Sequence, residues 1–159
     1  MKNLLDRLFF RSDNFDEISK QLKDLSSRSS TSKIFKAINS YSTSSEIRYV
    51  GGCIRKIINN EKIDDIDLAT ILTPNEIKQK FEKTNFKVID TGIDHGSITI
   101  IGKNLKYEFT TLRKDIKTDG RHADVEFSTD WTEDSERRDF TINAIYLNKK
   151  GKIFDPQLG

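Results

Sequence analysis

The sequence is poor in the side chains that build disulfides and structural metal sites. It contains one cysteine, Cys53, and two histidines, His95 and His122, among 159 residues. A single thiol cannot form an internal disulfide, and these three side chains are too few for a structural zinc site, which has about four ligands. Because a lone thiol is typical of a reducing compartment, we expect a cytoplasmic protein.

Long apolar stretches are also absent. No run approaches the roughly 18 apolar residues that indicate a membrane-spanning helix, and Asp6 and Arg7 interrupt the segment where a signal peptide would be apolar. The 27 basic and 25 acidic side chains nearly cancel, which gives a formal net charge of +2. This balance argues against a strongly basic arm that neutralises many phosphates, but it allows a local basic patch. The composition predicts a soluble domain with no membrane partner.

Residues 1–32 differ in pattern from the rest of the chain. Their apolar side chains recur at helical spacing, at Phe15, Ile18, Leu22 and Leu25. The segment 26–32, SSRSSTS, has no such periodicity and is typical of a flexible joint. We therefore predict an N-terminal helical arm with a flexible joint over 1–32, followed by a single domain over 33–159.

Short strands and helices mix within that domain without a regular alternation. Apolar patterns predict strands over 46–50, 66–72, 86–90, 97–101, 105–112 and 123–128, helices over 34–41, 53–60 and 130–138, and a final hairpin of 144–147 with 152–154. Thr73, Pro74 and Glu76 have the pattern of a capping box with proline at the first helical position, which predicts a helix to about Lys83. This mixture predicts an α+β fold rather than a doubly wound sheet.

Asp65 and Asp67 are the first candidates for a catalytic role. Residues two apart in a strand point to the same face, so both carboxylates would project together while Ile66 and Leu68 face the core. Adjacent carboxylates repel each other unless a cation lies between them, and Mg²⁺ typically binds one or two protein carboxylates together with substrate phosphates and water. The alternative is a solvated strand face or turn without a ligand.

Glu108 adds a third carboxylate on a separate strand. Tyr107 and Phe109 point inward by alternation, which leaves Glu108 on the opposite face. If this strand is the neighbour of the one with Asp65 and Asp67, three carboxylates converge and a two-metal site becomes possible. The alternative is an exposed strand glutamate.

The segment from Gly51 to Arg55 is a candidate phosphate site. A strand, two glycines and a helix start bring backbone N–H groups to one place, and Arg55 in the first helical turn adds a guanidinium. A plain strand-to-helix turn explains a Gly51-Gly52 pair equally well. The position of the turn favours phosphate binding, because the turn comes one helix before Asp65 and Asp67.

The triplet of Arg137, Arg138 and Asp139 is the last candidate. Adjacent arginines at a helix end, followed by a carboxylate, can bind phosphate and ribose. Alternatively, the arginines complete ion pairs at i,i+4 spacing, of Glu133 with Arg137 and of Asp134 with Arg138.

Together these segments resemble a known enzyme family. YVGGCIRKIINNEKIDDIDLAT, residues 49–70, is similar to the GGxxR…DxD signature of class II tRNA nucleotidyltransferases, the CCA-adding enzymes, and their bacterial poly(A) polymerase relatives. DHGSITI, YEFTTLRKD, DGRHADVEF and ERRDFTINA, followed by FDP, resemble that family's following motifs in the same order. The resemblance runs from Ile47 to Pro156 and implies a polymerase-beta-like nucleotidyltransferase head, a mixed β-sheet with packed helices.

The resemblance implies a role for each candidate residue. Asp65 and Asp67 match the family's metal-binding carboxylates, and Glu108 matches its third acidic position. Positions in the phosphate-binding turn and the RRD motif are implied to bind the nucleotide: Gly51, Gly52, Arg55, Arg138, Asp139 and Asn143. The chain departs from the family at Lys56, where an acidic residue is usual.

The implied activity is transfer of CMP and AMP from CTP and ATP to a tRNA 3′-OH, with two Mg²⁺ ions as cofactors. The segments TTLR and DGRHA resemble CCA-adding enzymes more than poly(A) polymerase heads, so CCA addition is the preferred hypothesis. The alternatives are a poly(A) polymerase head, a non-catalytic remnant that binds RNA or a partner, and a transferase for a small hydroxylated acceptor. The family continues into a neck with an EDxxR motif, a body and a tail, so a separate chain with those parts is an expected partner.

Overall fold

The computed structural model describes residues 4–116 and 125–159. These residues form five α-helices: α1 (Leu4–Arg28), α2 (Thr31–Asn39), α3 (Gly52–Ile58), α4 (Pro74–Glu82) and α5 (Trp131–Glu136). They also form nine strands: β1 (Ile47–Val50), β2 (Asp65–Thr70), β3 (Lys87–Gly92), β4 (Ser97–Ile101), β5 (Lys106–Thr111), β6 (Arg113–Asp115), β7 (Val125–Phe127), β8 (Tyr146–Leu147) and β9 (Ile153–Phe154). No helix within these two ranges combines the length and the apolar character needed to cross a bilayer.

Seven strands form one mixed sheet. Their order is β3-β4-β5-β2-β1-β8-β9, and β6 pairs with β7 in a separate ribbon. β2 and β5 run parallel, whereas the other neighbours in the large sheet are antiparallel. The predicted α+β class, a mixed β-sheet with packed helices, is confirmed.

The start of α4 forms as its sequence predicts. The Thr73 hydroxyl accepts a hydrogen bond from the N–H of Glu76, and the Glu76 carboxylate accepts one from the N–H of Thr73. These bonds complete a capping box, with Pro74 at the beginning of the helix. Both satisfy backbone donors that have no partner inside the helix, which fixes where α4 begins.

The main core lies on one face of the sheet. Ile66 and Leu68 of β2 and Tyr107 and Phe109 of β5 are buried in a cluster that also contains apolar side chains of α1, α2, α3 and α4. A smaller cluster contains Val50, Ala69, Leu112 and Tyr146, with Trp131 of α5 packed against it. Because side chains alternate along a strand, Ala69 points to the face opposite Leu68, so α5 covers part of the second face.

Residues 26–32 form helix ends rather than an aperiodic segment. Only Ser29 and Ser30 separate α1 from α2. The Ser29 hydroxyl donates to the carbonyl of Leu25, and the Ser30 hydroxyl accepts from the N–H of Lys103. The first bond is local, as is common for serine hydroxyls, whereas the second joins the segment to the turn between β4 and β5. The flexible joint stays a prediction.

Helix α1 contributes directly to the main core. Ile18, Leu22 and Leu25 lie on its buried side and belong to the same cluster as the sheet residues. The Ser29–Ser30 break therefore joins two helices that pack on a common core. The division of the chain into an arm over 1–32 and a domain over 33–159 stays a prediction.

The ion pairs of α5 differ in part from the predicted ones. Arg138 pairs with Asp134, as predicted, but Arg137 also pairs with Asp134 instead of Glu133. Glu133 accepts a hydrogen bond from the hydroxyl of Ser128. The predicted pair of Glu133 with Arg137 is therefore wrong, because Glu133 bonds to the Ser128 hydroxyl and Arg137 bonds to the buried carboxylate of Asp134.

Truncation of Leu25 tests whether α1 is integral to the core. Leu25 is 1% exposed, so Leu25→Ala is expected to lower the free energy of unfolding by about 2–4 kcal/mol. Lys23→Ala, an exposed position on the same helix, should change it by less than about 0.5 kcal/mol. Denaturant unfolding measures both, and equal values for the two variants would contradict the packing described for α1.

Candidate active site

The parallel pairing of β2 and β5 sets the geometry of the site. Asp67 lies directly across from Glu108, and Asp65 lies directly across from Lys106. Side chains alternate along both strands, so residues in paired positions project to the same face of the sheet. The structure therefore brings Asp65, Asp67 and Glu108 to one face, opposite the main core.

A lysine lies between two of these carboxylates. The Nζ of Lys106 is 3.9 Å from Asp65 Oδ1 and 3.9 Å from Glu108 Oε1. Within residues 4–116 and 125–159, no three His, Cys, Asp or Glu side chains form a group that could hold an ion by themselves. An ion at this face would therefore bind one or two carboxylates and complete its coordination with phosphate oxygens and water, as is usual for Mg²⁺.

A glycine elbow lies beside Asp67. Gly51 has φ of +71°, a conformation that residues with side chains rarely adopt, and α3 begins at Gly52. A Cβ atom at either glycine would lie 3.8 Å from Asp67 Oδ2. The elbow therefore places the backbone N–H groups of a helix start next to a carboxylate, with Arg55 exposed on the same helix. This arrangement suits a phosphate group bound next to a cation.

Cys53 fixes the elbow to the neighbouring strand. Its thiol donates to the carbonyls of Val50 and Asp67, at 3.3 Å and 3.5 Å. Burial raises the pKa of the Cys53 thiol to about 12, so the nucleophilic thiolate does not form at neutral pH. The cysteine therefore has a packing role next to the carboxylates.

The environment of Asp67 is unfavourable for its charge. Burial raises the pKa of its carboxyl, and the negative charges of Glu108 and Asp65 raise it further. The N–H of Cys53 and the ammonium of Lys56 act in the opposite direction without reversing the shift. A divalent cation would relieve this repulsion, and carboxylate oxygens are the ligands that Mg²⁺ prefers. The donor set therefore fits Mg²⁺.

A hydroxyl-rich cavity extends from the carboxylates toward β3 and β4. Its volume is about 250 Å³, and its polar lining comes from Asp67, Glu108, Thr91, Ser97, Thr99 and Thr110. The four hydroxyl residues were not predicted from the sequence. Alternation along β4 and β5 already puts Ser97 with Thr99, and Glu108 with Thr110, on one face of each strand. That pattern identifies the cavity only once the order of the strands is known.

Asp134 organises a cluster of basic side chains near α5. Its side chain is fully buried and accepts hydrogen bonds from the backbone N–H of Arg113, the guanidinium groups of Arg137 and Arg138, and the hydroxyl of Tyr146. Burial lowers the pKa of the Arg113 guanidinium, and the nearby charge of Arg137 lowers it further. The carboxylate of Asp134 thus holds the guanidinium groups of Arg137 and Arg138 together, and Arg113 lies close enough for its charge to be repelled by that of Arg137.

The other candidates of the RRD segment are only partly drawn into this cluster. The side chain of Arg138 is 14% exposed, and its Nη1 donates to the backbone carbonyl of Asn143. Asp139 is exposed. The ion-pair alternative from the sequence thus describes the contacts of Arg138, whereas its nucleotide-binding role stays a prediction. His122, with most of the DGRHADVEF motif, lies outside the described residues.

The region from Ile47 onward resembles known proteins. A family model for the poly(A) polymerase head domain matches residues 47–159. The chain is 47% identical over 111 residues to the mitochondrial CCA tRNA nucleotidyltransferase 1 of Homo sapiens, an alignment that covers 69% of this chain and 26% of that protein. It is 43% identical over 112 residues to the CCA-adding enzyme of Lactobacillus delbrueckii subsp. bulgaricus, with coverage of 69% and 27%.

The fold resembles a solved structure over a similar range. The CCA-adding enzyme of Bacillus stearothermophilus in complex with CTP matches with a TM-score of 0.64 and 33% identity, over 78% of this chain and 28% of that chain. The polymerase-beta-like head predicted from the sequence is therefore confirmed. The chain spans about a quarter of the length of the curated relatives it matches.

Replacement of Asp67 by asparagine is expected to stabilise the fold at neutral pH. Because the folded-state pKa of this carboxyl is raised, the fold favours the protonated form. The resulting stability is fully present below the pKa of the unfolded state and is lost as pH rises through the folded-state pKa. Asp67→Asn removes that loss, so its thermal unfolding midpoint should exceed the wild-type midpoint at neutral pH, and the two should converge in acid.

The matched control for this prediction is Asp64→Asn. Asp64 is an exposed carboxylate in the same segment, 3.3 Å from the Nζ of Lys62, so its replacement should not raise the midpoint. Differential scanning calorimetry in EDTA measures all three proteins across pH. A midpoint for Asp67→Asn below that of the wild type at neutral pH would contradict the unfavourable environment assigned to this carboxylate.

Replacement of Asp134 tests its part in organising the basic cluster. Asp134→Asn leaves Arg137 and Arg138, which are 11% and 14% exposed, without their charged partner. We expect the free energy of unfolding to fall by about 3–5 kcal/mol, because breaking a buried ion pair strands the remaining charges. Urea unfolding measures the loss, with exposed Glu136→Gln on the same helix as control. A loss no larger than that of the control would disprove the role of Asp134.

Proposed function

Because the chain belongs to the poly(A) polymerase head-domain family, which it shares with CCA-adding enzymes, we propose that it is the catalytic head of a tRNA nucleotidyltransferase. The reaction transfers CMP and AMP from CTP and ATP to the 3′-OH of tRNA and releases pyrophosphate. The observation that carries this proposal is the meeting of Asp67, Glu108 and the glycine elbow on one face. It supports the proposal because carboxylates that could bind a cation lie beside backbone N–H groups that could bind a phosphate, and nucleotidyl transfer requires both.

The complete activity needs more polypeptide than this head under the same proposal. The matched relatives are about four times as long as the aligned segment. Further segments, in the same protein or in a separate chain with the neck, body and tail, would hold tRNA and select the incoming base. The head alone should therefore have weak base selectivity and poor affinity for tRNA.

Asp65 and Asp67 are the residues that would hold Mg²⁺, and Glu108 would complete the shell of one ion. Two such ions, when bound, would supply a positive charge that favours ionisation of the acceptor hydroxyl and one that offsets charge on the pyrophosphate. The strand β2 keeps the two aspartates on one face, and the register with β5 holds Glu108 opposite Asp67. The protein thus supplies position and charge, which provide most of the acceleration in phosphoryl transfer.

The donor nucleotide would bind on the β1 side of Asp67. The N–H groups at Gly51 and Gly52 would receive the triphosphate, with the exposed guanidinium of Arg55 beside it. The nearby Lys56 would add a positive charge at a position that is usually acidic in the family. Arg138 would contact the nucleotide, and Asp139 and Asn143 would contribute to recognition of the ribose.

The acceptor end of the RNA would bind on the β4 side of Asp67. The hydroxyl-lined cavity begins at Glu108 and lies across the sheet from the glycine elbow, because β5 and β1 flank β2 on opposite sides. Thr99 and Thr110 would offer hydrogen bonds to a terminal ribose there. The attacking hydroxyl and the departing pyrophosphate would then lie on opposite sides of the α-phosphate, as an in-line displacement requires.

A cytoplasmic location completes the proposal. Cys53 is the single cysteine and is a buried free thiol, which is compatible with a reducing compartment. Its relatives include both a mitochondrial and a bacterial enzyme. Fractionation of the source cells is the direct test.

Poly(A) addition is the second candidate, because the matching family model is described by that activity. The two activities differ in product: CCA addition stops after a defined trinucleotide and uses CTP, whereas poly(A) addition continues with ATP alone. Relatives at 47% and 43% identity are named for CCA addition, which favours the first candidate.

Asp67→Ala is expected to abolish nucleotide incorporation. The variant removes the carboxylate that lies between the elbow and Glu108, and loss of a metal-binding carboxylate should lower the rate by about 10³-fold or more. The assay extends a labelled tRNA that ends before CCA, with Mg²⁺ and each nucleotide alone, and resolves the products on a gel. Circular dichroism checks that the variant folds.

The control for the assay is Asp64→Ala, which removes an exposed carboxylate three residues earlier. It should retain incorporation. Activity in Asp67→Ala equal to that of the wild type would contradict the proposed function. Strict addition of C, C and then A by this chain alone would refute its expected weak base selectivity. Activity that appears only after mixing with a polypeptide that carries the neck would indicate a split enzyme.

A further inference from the structure

Lys106 occupies an unusual place on the carboxylate face. It lies on β5 two residues before Glu108 and directly across from Asp65 on β2. Its Nζ is equally distant, at 3.9 Å, from Asp65 Oδ1 and Glu108 Oε1. The ammonium group therefore sits between two carboxylates that belong to different strands, where a bound cation would also be attracted.

The positive charges near the three carboxylates are divided between them. Lys106 is paired with Asp65 and Glu108, whereas Lys56 is the lysine whose charge acts on Asp67. Asp67 keeps its repulsion from the other two carboxylates. Lys106 thus offsets the charges of Asp65 and Glu108, whereas the charge of Asp67 is offset only in part, by Lys56.

The contact of Lys106 is of a kind that a divalent ion can displace. Its side chain is 51% exposed, and those of Asp65 and Glu108 are each 49% exposed. An exposed ion pair of this length is weak and is screened by solvent. A divalent ion carries twice the charge and binds carboxylate oxygens directly, so it can replace the ammonium, which then moves into water on its flexible stem.

We propose that Lys106 acts as an internal cation between Asp65 and Glu108. Its ammonium occupies this space before a divalent ion binds, and it competes with that ion for both carboxylates. This inference rests on the proposed function, because it concerns the ion site of that activity. Lys106 is a positioning residue: it holds the carboxylates of Asp65 and Glu108 together in the ion-free protein and influences how tightly the ion binds. Its removal should therefore strengthen ion binding rather than weaken it.

The test uses Mn²⁺ alone, which prefers the same oxygen ligands as Mg²⁺ and is detected by electron paramagnetic resonance. Titration of the full 159-residue chain gives a dissociation constant without nucleotide, RNA or turnover. Lys106→Gln is expected to bind Mn²⁺ about threefold to tenfold more tightly than the wild type, because the competing charge is gone. Lys106→Arg, which keeps the charge, should stay close to the wild type.

Lys103→Gln is the matched control, since Lys103 is exposed in the turn just before β5 and its removal changes the net charge equally. It should leave the dissociation constant within about twofold, since a distant charge is screened. Unchanged or weaker binding in Lys106→Gln, or equal tightening in Lys103→Gln, would overturn the inference. So would undetectable Mn²⁺ binding in both the wild type and Lys106→Gln.

The outcome is separable from that of the proposed function. Incorporation that depends on Asp67, together with unaltered Mn²⁺ binding in Lys106→Gln, would leave the activity intact and remove only the competing role of the lysine. Tighter Mn²⁺ binding in Lys106→Gln without any incorporation by the wild type would support the competition and count against the activity.

Discussion

The parallel pairing of β2 with β5 is the constraint on which the site depends. It is the one parallel contact described in a sheet whose other neighbours are antiparallel. Two parallel neighbours need a long connection, and here it passes through α4, β3 and β4. The resulting register sets Asp67 across from Glu108 and buries Tyr107 and Phe109 on the other side. A shift by one residue would send the carboxylates into the core.

The same arrangement brings carboxylates that repel each other next to the glycine elbow. Asp67 is held beside two other carboxylates and close to Gly51 and Gly52, where a Cβ atom would lie 3.8 Å from Asp67 Oδ2. Sites that bind cations commonly destabilise the protein without them, because the ligands repel each other. The burial of apolar side chains in the core shared by α1, α2, α3 and α4 compensates for the free-energy cost of this repulsion.

Local chemistry explains which features could be predicted from the sequence. The capping box at Thr73, the hairpin of β8 with β9, and the shared face of Asp65 and Asp67 depend on neighbouring residues, so pattern was sufficient. The position of Glu108 opposite Asp67 depends on which strands pair, which alternation does not specify. The contact of Lys106 with two strands, and the hydroxyl-lined cavity, were missed for the same reason.

Other differences came from competition between nearby partners. Spacing alone made Glu133 a partner for Arg137, but Asp134 is buried and attracts both arginines. The serine-rich segment 26–32 has the composition of a joint, yet the Ser29 hydroxyl bonds to the backbone of α1 and the Ser30 hydroxyl to the backbone N–H of Lys103 in the turn between β4 and β5. The burial of Asp134 and the bond between Ser30 and Lys103 depend on the tertiary structure, which local spacing does not show.

The most direct test of the account is to locate the bound cation on the chain. Substoichiometric Mn²⁺ added to the ¹⁵N-labelled protein broadens the amide signals of nearby residues. We predict that the signals of Gly51, Gly52, Asp65, Asp67 and Glu108 disappear first. Uniform broadening, or broadening centred on the basic cluster around Asp134, would contradict a cation site on the face shared by β2 and β5.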